Sequence, residues 1–197
     1  DGRVIVEADT LLQEMTSDEK GQAGCTLDLP LGSYYVKELK APAGYVSSNE
    51  VLNFDASYQG QDVETVVLKA VKKNQPTTVE ITKSDITTGT ELDGASLKVL
   101  DKDGNVVDEW TSVKDAPHVI KRLVVGETYT LREEFAPYGY LKATDITFTV
   151  EDNGDVQKVE MKDELMKITI VKVDSITGEK LSGAELQLID PENDNKV

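Results

Sequence analysis

Val79–Asp101 reads VEITKSDITTGTELDGASLKVLD, and Ile168–Asp190 reads ITIVKVDSITGEKLSGAELQLID. Laying Lys172 on Lys83 gives an offset of 172 − 83 = 89. At that offset Asp85, Thr88, Gly89, Leu92, Gly94, Ala95, Leu97 and Asp101 all recur without a gap. A self-match of this kind marks tandem repeats. Inside it, apolar and polar residues alternate over Val79–Thr82 and again over Leu97–Val99, with a loop of Thr, Asp and Gly between them. The unit therefore reads as strand, loop, strand.

A second pair extends the pattern. SYYVKELKAPAGY at 33–45 returns as TYTLREEFAPYGY at 128–140, an offset of 133 − 38 = 95 on the shared glutamate. The two offsets differ because the connecting loops differ in length. Together they divide the chain into the later part of one repeat (1–76), a whole repeat (77–165) and the opening of a third (166–197). Within the whole repeat, strands are predicted at 79–85, 95–100, 106–112, 118–123, 127–135, 145–150 and 156–163. Asp103-Gly104 and Asn153-Gly154 supply tight turns. Such spacing, with no sustained helical period, predicts an all-β protein of tandem sandwich modules.

Composition excludes several partners. The 197 residues carry 37 acidic and 21 basic side chains, a formal charge of −16, which repels phosphate backbones and anionic headgroups. Nucleic acid and membrane insertion are thus not expected. No apolar run approaches the roughly 20 residues of a membrane span, and DGRVIVEADT at the start lacks the pattern of a signal peptide. One cysteine, Cys25, permits no intrachain disulfide and no cysteine metal cage. It alternates with Leu27 and Leu29 in CTLDL, so it is expected to be buried as a packing residue.

Charged residues stand where strand alternation places the core. Lys83 shares parity with Val79 and Ile81, and Lys172 with Ile168 and Ile170. Glu133 shares parity with Tyr129, Leu131 and Phe135, and Asp163 with Val159 and Met161. Each would cost several kcal/mol to bury as an unpaired ion. A buried salt bridge, or strand ends that reach solvent, would account for them. The sharper alternative is chemical, because burial disfavours the charged form of an amine and of an acid alike. A neutral Lys83 amine could then attack the Asp163 carboxyl carbon while Glu133 shuttles protons, giving an amide and water with no cofactor.

The lysine-bearing strand, the YTLREEFAPYGY box and the closing VEMKDE resemble the Cna protein B-type domain of Gram-positive surface proteins, also called the SpaA or prealbumin-like domain. The resemblance implies immunoglobulin-like β-sandwich modules with an autocatalytic isopeptide bond between a first-strand Lys and a last-strand Asn or Asp. Carried over, it implies Lys83 as nucleophile, Asp163 as acceptor and Glu133 as proton shuttle. In the first repeat Glu38 matches the shuttle and Asn74 the acceptor, while the lysine would precede residue 1. Asn74 needs a bulge or an early strand end, since Lys72 falls on its parity. Lys172 matches the nucleophile of the third repeat, whose box and acceptor would follow Val197. Unpaired strands in the partial repeats are expected to associate by strand addition.

The remaining candidates have plainer readings. His118, the only histidine, lacks a nucleophilic-serine context and is expected at a strand entry rather than in catalysis. The acidic turns at 101–104 and 151–155 and the tail DPENDN lack calcium-loop spacing and read as ordinary turns, so no metal is expected. Trp110, Tyr138 and Tyr140 read as packing residues, and Gly44 and Gly139 as turn residues of the box. The chain is accordingly expected to be a stalk or backbone module of an adhesin or pilus-like protein on a Gram-positive cell surface. Its partners would be neighbouring repeats, and any catalysis single-turnover self-cross-linking. The alternative is a module that binds host matrix protein or glycan through its loops, with the buried Lys, Glu and Asp purely structural.

Overall fold

The computed structural model describes residues 7–189. The strands, in chain order, are β1 (Gly32–Lys37), β2 (Val51–Ala56), β3 (Thr78–Asp85), β4 (Ser96–Leu100), β5 (Val106–Thr111), β6 (His118–Lys121), β7 (Thr128–Phe135), β8 (Ile146–Thr149) and β9 (Val156–Asp163). All seven strands predicted for residues 77–165 are present, with ends moved by at most two residues. The described residues contain no helix long and apolar enough to cross a membrane. The tail DPENDN lies outside them.

Strands β3–β9 build two sheets, ordered β6-β3-β9 and β5-β4-β7-β8. Every pairing is antiparallel except β3 with β9, which run parallel in register from Thr78↔Val156 to Asp85↔Asp163. A parallel pair needs a long crossover, and here β4–β8 together provide it. The chain therefore enters this module, residues 77–165, at one end of the parallel pair and leaves at the other. Alternate side chains of the strands meet between the sheets: Val79, Ile81, Leu97, Val99, Leu131, Val159 and Met161 are all buried in one cluster. This is the β-sandwich that the alternation predicts, and each such side chain contributes about 1.5–3 kcal/mol by leaving water.

The first repeat contributes the β1–β2 hairpin, paired from Gly32↔Ala56 to Lys37↔Val51, as a two-stranded sheet. It meets the sandwich at a tight joint. Thr77 donates its N–H to the Gly44 carbonyl at 3.1 Å and its hydroxyl to the Leu123 carbonyl at 2.6 Å. Arg122 lies over the Tyr45 ring, and Ser47 N–H reaches Asp152 at 2.8 Å. Gly44 has φ +81°, and a Cβ there would stand 2.6 Å from the Arg122 carbonyl oxygen. Only glycine meets both demands.

Four expectations are corrected. Cys25 is exposed, because CTLDL forms no strand and no sheet covers it among the described residues, leaving Leu27 and Leu29 exposed as well. Phe135 is exposed despite its parity, since the β4–β7 register shifts between Ser96 and Leu97 opposite the end of β7. Tyr138 points into solvent from the box turn rather than packing. Lys172 is exposed with Ile168 and Ile170, because residues 166–172 form no strand and face no sheet among the described residues.

The polar expectations fare differently. Asp101 accepts the N–H groups of Asp103 and Asn105 at 2.9 and 2.8 Å, and Asn153 accepts that of Asp155 at 3.0 Å. Both acidic turns thus spend carboxylate or amide oxygens on their own backbone. His118 begins β6, stacked on Trp110 with ring centroids 4.0 Å apart and its Nε2 2.9 Å from Asp108.

Candidate functional site

Three strands carry the site. The inward parity of β3 ends on Lys83, that of β7 passes through Glu133, and that of β9 ends on Asp163. The parallel β3–β9 register sets Lys83 and Asp163 near the same end of the pair, while β7 brings Glu133 across from the opposite sheet. The side chains of Lys83, Glu133 and Asp163 are each at most 1% exposed.

Lys83 Nζ contacts Asp163 Oδ1 and lies 3.1 Å from Glu133 Oε1. That second approach is an ion-pair distance without hydrogen-bond alignment, which leaves Glu133 Oε1 without a hydrogen-bond partner, and Asp163 Oδ2, the oxygen not facing Lys83, has none either. Glu133 is held from its other oxygen, Oε2, which accepts the Ala143 N–H at 2.6 Å. Burial pushes the Asp163 carboxyl above its ordinary range, the Lys83 contact pulls it back, and the Glu133 charge pushes it up again. The result is an amine against a carboxyl group biased toward its neutral acid form, with a second carboxyl beside both.

The surroundings fix β3 at this point. Asp85 accepts the N–H groups of Thr87 and Thr88 at 2.7 Å each, and hydrogen bonding led by Thr88 holds its carboxyl below the usual range. Leu92 N–H closes the loop onto the Lys83 carbonyl at 2.7 Å. The Tyr140 hydroxyl is raised by burial and then by the nearby Asp85 carboxylate, with the Asp163 charge adding to it. Neither the Ala143 donor nor the influence of Asp85 on Tyr140 can be read from the sequence. A backbone donor leaves no mark in residue type, although Tyr140 stood out as a repeated position.

The first repeat holds a second, smaller constellation. Asn74 Nδ2 donates to Glu38 Oε1 and Oε2 at 2.8 Å each, and Ser48 N–H donates to Glu38 Oε2 at 2.9 Å. Ser48 stands to Glu38 as Ala143 stands to Glu133, ten residues on. Residues 67–74 form no strand, so the awkward parity of Lys72 is never imposed. Lys172 lies apart from both constellations. Among the described residues no group of His, Cys, Asp and Glu is arranged to hold a metal ion.

The β-sandwich of residues 77–165 is the fold that the family resemblance implies. A family model described as the SpaA prealbumin-like fold domain matches residues 3–71 and 77–165. The chain belongs to this family. Among solved structures it is similar to the TIE protein of Bacillus anthracis, at 31% identity over 78% of this chain and 28% of that one, with a TM-score of 0.49. It is also similar to a streptococcal ancillary pilin, at 29% identity over 75% of this chain and 49% of that one, TM-score 0.39. A third is the shaft pilin SpaA of Lactobacillus rhamnosus GG, at 17% identity over 81% and 70% of the two chains, TM-score 0.43. The chain thus spans less than half the length of the first two. No curated protein matches it.

Proposed function

We propose that the chain is a stalk segment of a Gram-positive cell-surface adhesin or pilus-like protein, and that residues 77–165 form a load-bearing module closed by a Lys83–Asp163 amide. The observation that carries this reading is the contact of Lys83 Nζ with Asp163 and Glu133, out of water, on the first and last strands of the module. Glu133 takes a proton from Lys83, and the amine attacks Asp163 Cγ. The C–N bond forms as the carboxyl C–O bond breaks, and Glu133 returns the proton to the departing oxygen, which leaves as water. The reaction runs once and turns over no external substrate. The family supports a location on the cell surface.

The mechanical role follows from topology. Force entering at Thr77 runs along β3 to Lys83, crosses the amide and leaves through Asp163. Residues 84–162 are then shielded from load. Closing so long a loop also constrains the unfolded chain, by about 4–5 kcal/mol on the disulfide analogy, in a protein with a single cysteine. Pulling the whole chain between its ends tests the role. The wild type is expected to show no extension from this module, whereas Lys83→Ala releases roughly 270 Å, at about 3.4 Å per residue. The same release from the wild type would contradict the proposal.

A further inference from the structure

The turn at 151–155 holds the one asparagine of the chain that precedes a glycine, Asn153-Gly154. Glycine has no side chain to shield its backbone nitrogen, so that nitrogen can reach the carboxamide carbon of the residue before it. In a folded protein the attack is held off where the N–H is already spent in a hydrogen bond. That is so at both aspartate-glycine pairs among the described residues: Gly94 N–H donates to the Ser112 carbonyl at 2.9 Å, and Gly104 N–H to the Asp101 carbonyl at 3.1 Å. Gly154 N–H has no protein acceptor among the described residues.

The rest of the turn is arranged around the same carboxamide. Asn153 Oδ1 accepts the Asp155 N–H at 3.0 Å, and Nδ2 donates to Glu151 Oε2 at 2.7 Å. The first bond folds the side chain back along its own backbone, closing a ring that contains both Asn153 Cγ and Gly154 N. It also sets a donor on the oxygen that turns negative when Cγ is attacked. The second bond sets a carboxylate beside the nitrogen that must gain a proton and depart. Glu151 and Asn153 are both exposed, so water reaches them. The same turn carries two contacts to the first repeat: Asp152 accepts the Ser47 N–H at 2.8 Å, and the Gly154 carbonyl accepts from Gln75 Nε2 at 3.2 Å.

We propose that Asn153 is a site of spontaneous modification, converting to aspartate and isoaspartate, and that the conversion loosens the joint between the first repeat and the sandwich. Gly154 N attacks Asn153 Cγ, forming a C–N bond and a five-membered imide ring. The bond from Cγ to Nδ2 breaks, the proton of the Gly154 N–H passes to Nδ2, and ammonia leaves beside Glu151. Water then opens the ring at either carbonyl, giving aspartate or an isoaspartate whose backbone runs through Cγ. Carboxamide plus water gives carboxylate plus ammonium, with no oxidant, reductant or cofactor. The new carboxylate stands among Glu151, Asp152 and Asp155 and is repelled by them. In isoaspartate the backbone between Asp152 and Gly154 is also one carbon longer, so the two contacts to Ser47 and Gln75 no longer fit together.

The test incubates the full chain in warm neutral buffer and reads its intact mass, then its peptides by fragmentation that separates isoaspartate from aspartate. The expected result is a gain of about 1 Da that grows with time and sits at residue 153, with Asn49, Asn53, Asn74 and Asn105 unchanged. Glu151→Gln should slow the gain several-fold. Spin labels on the two sides of the joint should give distances that broaden in the aged wild type. They should stay narrow in aged Asn153→Ser, whose hydroxyl can still accept the Asp155 N–H. A chain that keeps its mass at residue 153, or gains it first elsewhere, overturns the site. An unchanged rate in Glu151→Gln overturns the chemistry assigned to the turn, and converted chains with narrow distances overturn the effect on the joint. None of these outcomes bears on the Lys83–Asp163 amide, which is read from a loss of about 18 Da in other peptides.

Discussion

Glu133 touches Lys83 and is anchored by the Ala143 N–H, and in the reaction proposed above it moves the proton without being consumed. Glu133→Gln keeps the shape and the Ala143 contact but cannot accept the amine proton. It is expected to abolish the mass loss, with Lys83 and Asp163 still in contact. Lys83→Ala should be harsher, leaving two buried carboxyls without a cation at a cost of about 3–5 kcal/mol, measurable by urea unfolding against Glu133→Gln.

The acid also makes a pH prediction. In a Lys83→Met chain Asp163 remains a free carboxyl, raised first by burial and then by Glu133, with the opposing pull of Lys83 removed. The folded state then binds a proton that the unfolded state releases. This contribution is fully present below the unfolded carboxylate pKa of about 4 and is lost as pH rises through the raised folded value. Stability should therefore fall with rising pH relative to Lys83→Met/Asp163→Asn. Equal slopes for the two variants would refute the assignment.

At the scale of elements, strand parity made most of the site legible. Lys83, Glu133 and Asp163 each lie on the apolar side of a regular strand, and period-two alternation needs no tertiary knowledge. The same test misplaced Phe135, because a register shift between β4 and β7 is a property of two strands together. It misplaced Cys25 and Lys172 for a related reason, since alternation predicts a buried face only where a second sheet exists to cover it. The joint between repeats was equally hidden. Gly44 read as a turn residue, while its contact with Arg122, 78 residues away, could not be read from the box. Gly44→Ala meets both a positive φ and the Arg122 backbone, whereas Gly139→Ala meets the positive φ alone, with open space around it. Both should destabilise, by about 1–3 kcal/mol for the backbone strain. Gly44→Ala should in addition loosen the first repeat from the sandwich, seen as broadened inter-module distances by spin labels. Unchanged distances would show that Arg122 gives way freely.

Across the whole molecule, repetition carried the fold. The offset of 89 aligned not only residues but hydrogen bonds, the Asp85 and Asp174 loops being closed in the same way. What repetition could not convey is the structure outside residues 77–165: among the described residues the first repeat holds a hairpin and a Glu38–Asn74 pair, and the third a loop closed at Asp174. The central claim, that a buried triad joins the first strand of a module to its last, has one direct measurement. It is the intact mass of the denatured chain, followed by tandem mass spectrometry of its peptides. The account predicts a loss of about 18 Da located at a Lys83–Asp163 branched peptide and absent from Glu133→Ala. A wild-type chain at full mass, with Lys83 and Asp163 recovered in separate linear peptides, would contradict it.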